Sequence, residues 1–441
     1  MHLTRFRIRQ SGPLSGRLTL PGDKSISHRS VIIGSIASGT TRIRGILQGE
    51  DVKRTMQAFR DCGVRIESQG EWLIVEGVGL DGLKAPRSEI YLGNSGTSMR
   101  LLTGLFSAQN FETVFTGDES LSRRPMERVV KPLRSMGANI SLAEGGTPPV
   151  RIHPIDEIKA IEWNLTVASA QVRSAILLAG LYAKGQTRVI EPKPIRNHTS
   201  IMLAQFGCKV HRTGLEVTIE GRPNLQGQQL EIPADFSSAA FFIVEGLLVP
   251  RSELVLKKIG VNETRTGLLS ALELMGASIQ LDNFELVGNE PIADIRVRSD
   301  SQLNGIDLPL ALVPLMIDEI PILAIAAARS KGRTVISGCE ELRVKESDRI
   351  RTVVIGLNAL GIEVEERPDG MIIEGGTFQG GQVDSFGDHR IAMAFSIAGT
   401  VAEGEIEILN CDCVNTSFPE FTDVARQCGM ELVVEGEQVD E

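Results

Sequence analysis

The sequence predicts an α/β (α+β) protein built from six copies of one β-α-β-α-β-β unit. Similar helix endings that run into glycine recur about 70 residues apart, and such periodic self-similarity is typical of repeat architectures. Two further observations support the prediction. Apolar helices alternate with amphipathic ones, and short strands rich in β-branched residues separate them. The six endings lie at Gly63, Gly137, Gly207, Gly276, Gly361 and Gly429.

The first helix of each repeat is apolar nearly all round, which indicates full burial rather than one solvated face. Ser30–Ser38, Ser174–Ala183 and Ile320–Ala328 are examples. The predicted starts of these six helices lie near Lys24, Asn94, Ser169, Asp235, Asp318 and Asp388.

A short strand, an amphipathic helix and a hairpin complete each repeat. The second helices, such as Asp51–Cys62 and Glu346–Leu360, have one polar face and are expected on the outside. Strands at Trp72–Glu76, Val217–Glu220 and Met371–Glu374 are expected to close units as hairpins. The strands that follow the first helices are predicted at Thr41–Arg44, Glu112–Phe115, Thr187–Ile190, Glu253–Leu256, Thr334–Ser337 and Glu405–Ile408.

Length and composition favour two domains in a reducing compartment. A chain of 441 residues with 42% hydrophobic content can bury two cores, and Gly, Pro, Asn and Gln accumulate at Gly221–Pro233, between the third and fourth repeats. The net charge of −10 disfavours a nucleic-acid or membrane partner. Six cysteines without a CxxC pair indicate the cytoplasm and no metal site.

Polar clusters in the first half fall mainly at predicted helix starts. Helix starts carry unpaired N–H groups and a positive dipole end, so they bind anions. Arg124 follows another arginine at what we expect to be a helix start, which is unfavourable unless the pair faces an anion. Capping or solvated charges would explain each cluster separately. The candidate residues in these motifs are Lys24, Ser25, Arg29, Asn94, Gly96 and Arg124.

Neutral hydrogen-bonding groups open the third repeat. Ser169, Ala170 and Gln171 form a Ser-Ala-Gln motif suited to sugar-like hydroxyls or phosphate oxygens. Capping would explain Ser169 equally well. Arg196 stands at the parallel start of the following helix, where the nearby His198 reads more readily as a capping or surface residue than as a catalyst.

In the second half, Lys345, Glu346 and Arg349 gather at one predicted helix start. A carboxylate among cations stays ionised until an incoming anion changes the balance, which suits proton transfer. A structural ion-pair network is the alternative. Asp318 is a candidate of the same kind or a helix cap, and Arg390 is a candidate for gripping a carboxylate or phosphate.

Both halves are therefore expected to present cationic helix starts. Two such faces meeting across a cleft would enclose a pair of substrates carrying several negative charges, closed in by domain motion. The residues alone indicate an enzyme acting on small phosphorylated anions, without a nucleotide motif, a metal or a cofactor.

These motifs resemble the 5-enolpyruvylshikimate-3-phosphate synthase family over essentially the full length. The resemblance implies an inverse α/β barrel of two domains, with residues 1–20 and 233–441 in one and 21–232 in the other. The motifs that carry it are Gly22–Arg29, Gly93–Thr97, Arg124–Pro125, Ser169–Gln171, Arg343–Arg349, Asp388–Arg390 and Ser417–Pro419.

The resemblance also implies a reaction. The family transfers the enolpyruvyl group of phosphoenolpyruvate to the 5-hydroxyl of shikimate 3-phosphate, releasing phosphate by addition–elimination in chorismate and aromatic amino acid biosynthesis. It implies a monomer that binds these two small molecules. Asp318 is implied as the base for the hydroxyl, Glu346 as the proton carrier, and Lys24 as a third catalytic group.

Binding roles follow from the same resemblance. Residues similar to the shikimate 3-phosphate contacts are Ser25, Arg29, Ser169, Gln171 and Lys345. Residues similar to the phosphoenolpyruvate contacts are Lys24, Arg124, Arg349 and Arg390, with Gly96 beside them. Asn94, Ala170, Arg196 and Asp318 complete the expected binding set.

Two departures resemble the family's divergent second class: Asn415–Phe418 lacks the usual Lys, and Leu101 replaces the usual Pro after Arg100. The nearest rival, UDP-N-acetylglucosamine enolpyruvyl transferase, uses a reactive Cys in a loop that corresponds to Gly117–Arg124, where this chain has none. A non-catalytic anion-binding protein of the same fold is the other alternative. Glu346 among cations argues against it, because binding an anion needs no carboxylate there.

Overall fold

The structure, a computed structural model, describes residues 3–437 and contains the alternating helices and strands that the repeat predicts. The helices are α1 Lys24–Ile36, α2 Glu50–Asp61, α3 Gly96–Phe106, α4 Glu119–Ser122, α5 Glu127–Ser135, α6 Ala170–Gly180, α7 His198–Gln205, α8 Phe236–Leu248, α9 Gly267–Leu274, α10 Ile320–Ala328, α11 Arg349–Ala359, α12 His389–Gly399 and α13 Phe421–Cys428. Short 3-10 helices lie at Val313–Leu315, Glu340–Val344 and Cys411–Thr416.

The strands connect these helices in the predicted order. They are β1 Leu3–Ile8, β2 Ser15–Thr19, β3 Ser38–Arg44, β4 Arg65–Gln69, β5 Trp72–Val78, β6 Ile90–Tyr91, β7 Thr113–Thr116, β8 Asn139–Ser141, β9 Val150–His153, β10 Glu162–Asn164, β11 Gln186–Ile190, β12 Val210–Thr213, β13 Glu216–Glu220, β14 Gln229–Glu231, β15 Glu253–Gly260, β16 Ile279–Val287, β17 Glu290–Arg298, β18 Arg333–Ile336, β19 Val364–Arg367, β20 Gly370–Glu374, β21 Gln379–Asp384, β22 Glu403–Leu409 and β23 Leu432–Glu437.

The chain divides into two compact units. The N-terminal unit contains Gly22–Ile232 together with Val287–Asn289. The C-terminal unit contains the described residues up to Pro21, Pro233–Leu286 and the described residues from Glu290 onward. Each unit has its own continuous hydrophobic core.

Three sheets surround the core of the N-terminal unit, in the orders β14-β3-β5-β4, β6-β7-β9-β8 and β10-β11-β13-β12. Each has one parallel pair followed by an antiparallel hairpin. The shared pairing pattern shows that the repeat read from the sequence is a structural unit.

The sheets of the C-terminal unit have the orders β16-β17-β15-β2, β18-β20-β19 and β21-β22-β1-β23. In the last sheet β1 pairs with both β22 and β23, so the first described residues take the place of the second hairpin strand. In the middle sheet an isolated parallel bridge between Asp307 and Val335 stands where the other sheets have a fourth strand. The sequence therefore predicted one strand too many in the fifth repeat.

Glycine is required where the chain first passes from one unit to the other. A Cβ at Gly22 would lie 1.9 Å from the carbonyl oxygen of Gly45, which no side chain can occupy. The strand before this point, β2, pairs with β15, whereas the helix after it, α1, belongs to the N-terminal unit.

The burial of the first helices agrees with their apolar composition. Every residue of α10 is buried, and α6 is buried from Val172 to its end at Gly180. In contrast, α2 buries one face through Val52, Met56 and Phe59 and exposes the other. Within residues 3–437, no helix has the length and apolar character that crossing a membrane requires.

Two predicted helix starts are wrong. Arg124 does not open a helix, because Asp118 caps the short α4 at 2.7 Å from the Leu121 amide and Pro125 disfavours helical backbone at the residue before it. The helix predicted over Glu346–Leu360 begins only at Arg349, since Asp348 provides the cap.

One carboxyl group is buried in the core of the C-terminal unit. Glu245 on α8 is fully buried, and the thiol of Cys428 donates to its Oε2 at 3.7 Å. Burial raises the pKa of Glu245 to about 8, and the Cys428 hydrogen bond opposes this only in part. The folded state therefore holds a proton on Glu245 at neutral pH.

We predict that Glu245→Gln removes a loss of stability that the wild-type protein shows as the pH rises from 4.5 to about 8. Because the folded pKa lies above the unfolded value of 4.5, the folded state binds more protons between pH 4.5 and pH 8, and stability falls as the pH rises through this range. Relative to the variant, the wild-type free energy of unfolding should fall by roughly 1.4 kcal/mol per pH unit. Denaturant titrations between pH 5 and 8, with the exposed Glu420→Gln as control, measure this. Parallel curves for all three proteins would contradict it.

Candidate active site

The three buried helices of the N-terminal unit begin at capped ends. The carboxylate of Asp23 accepts from the Ile26 amide at 2.8 Å at the start of α1. Ser95 and Ser169 cap α3 and α6 by accepting from amides three residues later, at 3.2 Å and 3.4 Å. Ser169 therefore caps α6, which is the alternative to a binding role that its sequence position allowed. Ala170 is the first residue of α6 and is half-buried.

The starts of α3 and α6 are joined by side chains. Nη1 of Arg100 donates to Oε1 of Gln171 at 2.8 Å, and Nε2 of Gln171 donates to Oγ1 of Thr97 at 3.2 Å. The sequence analysis did not select Arg100 as a site residue. Its position four residues after Gly96, on the same helical face, is the signal that could have found it.

Gly96 leaves room for two guanidinium groups. A Cβ at Gly96 would lie 2.8 Å from Nη1 of Arg124 and 2.9 Å from Nη1 of Arg100. Arg124 donates from Nη2 to Oδ1 of Asn94, and Nδ2 of Asn94 donates to Asp118 at 2.7 Å. The structure thus brings Asn94, Gly96 and Arg124 together.

The first helix contributes two further cations. Lys24 forms an ion pair with Asp51 on α2, a residue that the sequence analysis did not single out. The buried Arg29 donates from Nη1 to the Ser25 carbonyl oxygen at 2.8 Å and from Nε to Oγ1 of Thr199 at 2.6 Å. These hydrogen bonds to neutral oxygens fix the direction of the Arg29 guanidinium.

Arg196 lies in the loop that connects β11 to α7, and its side chain is half-buried. Its carbonyl oxygen accepts a hydrogen bond from Nη2 of Arg173, which is fully buried on α6. Arg196 is therefore tied through its backbone to the helix that begins with Ala170 and Gln171.

In the C-terminal unit, one buried guanidinium holds three carboxylates. Arg349 is 1% exposed. It lies 2.8 Å from Asp388, 3.3 Å from Asp318 and 2.5 Å from Glu346, measured between the nearest nitrogen and oxygen atoms. Burial alone would lower the pKa of Arg349, but these carboxylates outweigh it and raise the pKa above its ordinary value. Arg349 is accordingly charged at all physiological pH values.

Asp318 is surrounded by cations. Besides Arg349, its carboxylate lies 3.9 Å from Nζ of Lys345 and 3.9 Å from Nη2 of Arg390. Nη1 of Arg390 donates to the Asp318 carbonyl oxygen at 3.0 Å. The cap position of α10 belongs to Glu319, so the alternative of Asp318 as the cap of that helix is wrong.

The guanidinium of Arg390 also lies close to the buried carboxylate of Glu319. Glu319 is fully buried, accepts from Oγ of Ser237 at 2.5 Å and lies 3.6 Å from Nη1 of Arg390. Nη2 of Arg265 also donates to Ser237, at 2.5 Å. None of Ser237, Arg265 and Glu319 was selected from the sequence, because their motifs carry no excess of cations.

The expectation of a cationic face is wrong for the C-terminal unit. Lys345, Arg349 and Arg390 each lie within 4.0 Å of a carboxylate, and Lys345 donates to Glu341 at 3.3 Å. The cluster is a set of paired charges rather than an open anion trap. Within residues 3–437, no group of three or more His, Cys, Asp and Glu side chains could hold a metal ion.

The fold is that of the enolpyruvyl transferases. A solved structure of an enolpyruvyl transferase from Streptomyces tendae covers 99% of this chain and 100% of its own, with a TM-score of 0.79 at 18% identity, a likeness of fold alone. A family model carries the identification further. The chain belongs to the family described as EPSP synthase (3-phosphoshikimate 1-carboxyvinyltransferase), whose model matches residues 8–425.

Relatives with known names agree with this family. A 3-phosphoshikimate 1-carboxyvinyltransferase from Nitrosococcus oceani is 53% identical over 97% of this chain and 96% of its own length, and one from Alkalilimnicola ehrlichii is 52% identical over the same shares. A solved EPSP synthase from Acinetobacter baumannii is 49% identical, covers 98% of this chain and 100% of its own, and has a TM-score of 0.87. The predicted family, the inverse α/β barrel and enolpyruvyl transfer in the shikimate pathway are thereby confirmed.

We predict that Arg124→Ala weakens the binding of phosphoenolpyruvate by about 10- to 100-fold. The reason is the loss of charge-assisted hydrogen bonds worth roughly 1.5–3 kcal/mol. Calorimetric titration of the protein measures it. Arg123→Ala is the matched control, because Arg123 is exposed and pairs with Glu119 on the surface. Equal affinities of the two variants would show that Arg124 does not contact the anion.

Proposed function

We propose that the protein transfers the enolpyruvyl group of phosphoenolpyruvate to the 5-hydroxyl of shikimate 3-phosphate and releases inorganic phosphate. We further propose that it does so in the cytoplasm, as a monomer and without a cofactor. The observation that carries the proposal is the pair of carboxylates, Asp318 and Glu346, held by one buried arginine, Arg349. Both carboxylates are partly exposed, at 14% and 19%, so a substrate can reach them.

Two proton transfers accompany the addition step. The 5-hydroxyl oxygen forms a bond to C2 of phosphoenolpyruvate and gives its proton to Asp318. Glu346, which takes up a proton from solvent when the negative charge of phosphoenolpyruvate enters the site, delivers that proton to the methylene carbon C3, which becomes a methyl group. Asp318 lies beside three cations and is partly exposed, and Glu346 lies at the edge of the cluster rather than within the core, so both can meet the substrate.

In the elimination step, the proton that was added to C3 is removed again. The C2–O bond to phosphate breaks, the phosphate leaves with the bonding electron pair, and the methyl group returns one proton to Glu346. Charge on the departing phosphate requires cations, which Lys24, Arg124, Arg349 and Arg390 supply in this proposal. Lys24, paired with Asp51, is the one among them that can also donate a proton.

Shikimate 3-phosphate is assigned mainly to the N-terminal unit. The support is the set of capped helix starts, whose remaining amides and hydroxyls suit phosphate and sugar-like oxygens. In this proposal its contacts include Ser25, Arg29, Asn94, Ser169, Ala170, Gln171, Arg196, Asp318 and Lys345. Phosphoenolpyruvate contacts Gly96 and the four cations named above.

The rival activity towards UDP-N-acetylglucosamine lacks its reactive thiol. Residues Gly117–Arg124 include the short helix α4 and no cysteine. Burial raises the pKa of all six cysteines, for example to about 11 for Cys208 and about 12 for Cys62. A reactive cysteine needs the opposite shift.

Phosphate release from phosphoenolpyruvate, measured with each acceptor, tests the proposal. With shikimate 3-phosphate, phosphate should appear in equal amount to an acceptor product heavier by one enolpyruvyl group. With UDP-N-acetylglucosamine, neither should appear. Product formation with the second acceptor alone would assign the rival activity, and no release with either would leave a binding protein.

We predict that Glu346→Gln lowers turnover by roughly 100-fold or more, the usual extent of general acid–base catalysis, while both substrates still bind. Glutamine keeps the size and can still accept from Arg349, but it cannot exchange a proton. Incorporation of solvent tritium into the methylene group should fall in parallel. The exposed neighbour Glu340 provides the control Glu340→Gln. A variant with normal turnover and only a lower melting temperature would show that Glu346 is structural.

A further inference from the structure

An ion pair lies fully buried in the N-terminal unit. Arg173 on α6 and Glu191, the residue after β11, both have 0% exposed side chains. Nη1 of Arg173 binds the Glu191 carboxylate, and Nη2 donates to the carbonyl oxygen of Arg196. One guanidinium therefore holds both the first residue and a late residue of the loop between β11 and α7.

Stability alone does not account for this pair. Well-packed apolar residues of similar volume are often as stable as a buried ion pair, or more so. The pair is also incompletely satisfied: within the described residues, Oε2 of Glu191 accepts no hydrogen bond, and Arg212 lies 3.9 Å from it. Burial lowers the pKa of Arg173, and the Glu191 charge opposes that shift.

The position of the pair indicates what it does. Arg173 follows the cap Ser169 by about one helical turn and Gln171 by two residues, so all three belong to the first turns of α6. Arg196, at the far end of the loop, is held to that segment through its carbonyl oxygen. The guanidinium thus fixes the loop to the helix that carries the candidate phosphate ligands.

The start of α7 is tied to α6 separately. Oγ of Ser174 and Oγ1 of Thr199 are 2.7 Å apart, and Arg29 donates to both, at 3.1 Å and 2.6 Å. These contacts hold the helix after the loop. The loop is held by the Glu191 amide, which donates to the Leu215 carbonyl oxygen at 2.9 Å, by the buried Ile195, and by the contacts of Arg173 with Glu191 and Arg196.

We propose that Arg173 and Glu191 are positioning residues for Arg196, holding its loop in register with Ser169 and Gln171 for binding shikimate 3-phosphate. The inference rests on the proposed function. It predicts that removing the pair impairs one substrate selectively, because the pair contacts Arg196 and lies near Arg212, both in the segment that follows β11.

The double variant Arg173→Met with Glu191→Gln tests this, since it removes both charges and keeps the volume. Its KM for shikimate 3-phosphate should rise by about tenfold or more, the scale expected for a displaced binding group, while its KM for phosphoenolpyruvate changes little. The matched control is Arg188→Met with Glu216→Gln, a more exposed pair that includes the same strand β11. If the double variant does not fold, Arg173→Leu with Glu191→Met replaces it. Equal rises in both KM values, or no rise in either, would overturn the proposal.

A cycle with Arg196→Ala tests whether the pair acts through Arg196. That variant alone should raise the KM for shikimate 3-phosphate, and adding the double variant to it should change the KM by less than about twofold, because residues that act as a unit are not additive. Fully multiplicative effects would overturn the proposal.

Amide hydrogen exchange separates this proposal from the proposed function. In the double variant, protection of the Glu191 amide at the start of the loop, which donates to the Leu215 carbonyl oxygen at 2.9 Å, should fall while the α6 amides stay protected. Unchanged protection of the loop overturns the positioning role, whatever the activity. If the wild-type protein releases no phosphate with shikimate 3-phosphate, the proposed function fails. In that case, lower protection of the loop in the double variant would still show that Arg173 and Glu191 hold the loop.

Discussion

The burial of nearly the whole first helix of each repeat is the constraint on which the site depends. A buried helix must satisfy its unpaired N-terminal amides with caps, because those groups cannot reach water along its sides. Asp23, Ser95 and Ser169 do so in the N-terminal unit, and Asp235 and Asp388 in the C-terminal unit. Polar chemistry is thereby concentrated at helix starts, which already favour anions through their dipoles.

Apart from the ion pairs Lys24–Asp51 and Arg173–Glu191 in the N-terminal unit, the two units orient the cations of their candidate site residues with different partners. In the N-terminal unit, hydroxyl, amide and carbonyl oxygens orient Arg29 and Arg100. In the C-terminal unit, carboxylates surround Arg349 and Arg390. Neutral partners direct a cation without cancelling its charge, whereas ionised partners offset its charge and place carboxylates beside it. This difference supports the proposal that shikimate 3-phosphate is bound mainly by the N-terminal unit and that proton transfer involves carboxylates of the C-terminal unit.

Much of this arrangement could be predicted from the sequence, because helix burial and strand pairing follow from apolar periodicity. The two wrong helix starts have local causes. Asp118 caps a short helix before Arg124, and Pro125 disfavours helical backbone at Arg124 itself. Asp348 caps α11, so that this helix begins at Arg349 rather than at Glu346. Pairings between distant segments could not be predicted at all. No spacing in the sequence indicates that Arg173 meets a glutamate 18 residues away, since that contact depends on how a loop returns to its helix.

The central claim is that capped starts of buried helices bind the phosphorylated substrate. A crystal structure of the protein soaked with shikimate 3-phosphate alone tests it most directly. The account predicts the phosphate within hydrogen-bond distance of Ser169 and Gln171 at the start of α6, with Arg196 turned towards it. A phosphate bound at the opposite, C-terminal end of α6, or only at exposed surface lysines, would contradict it.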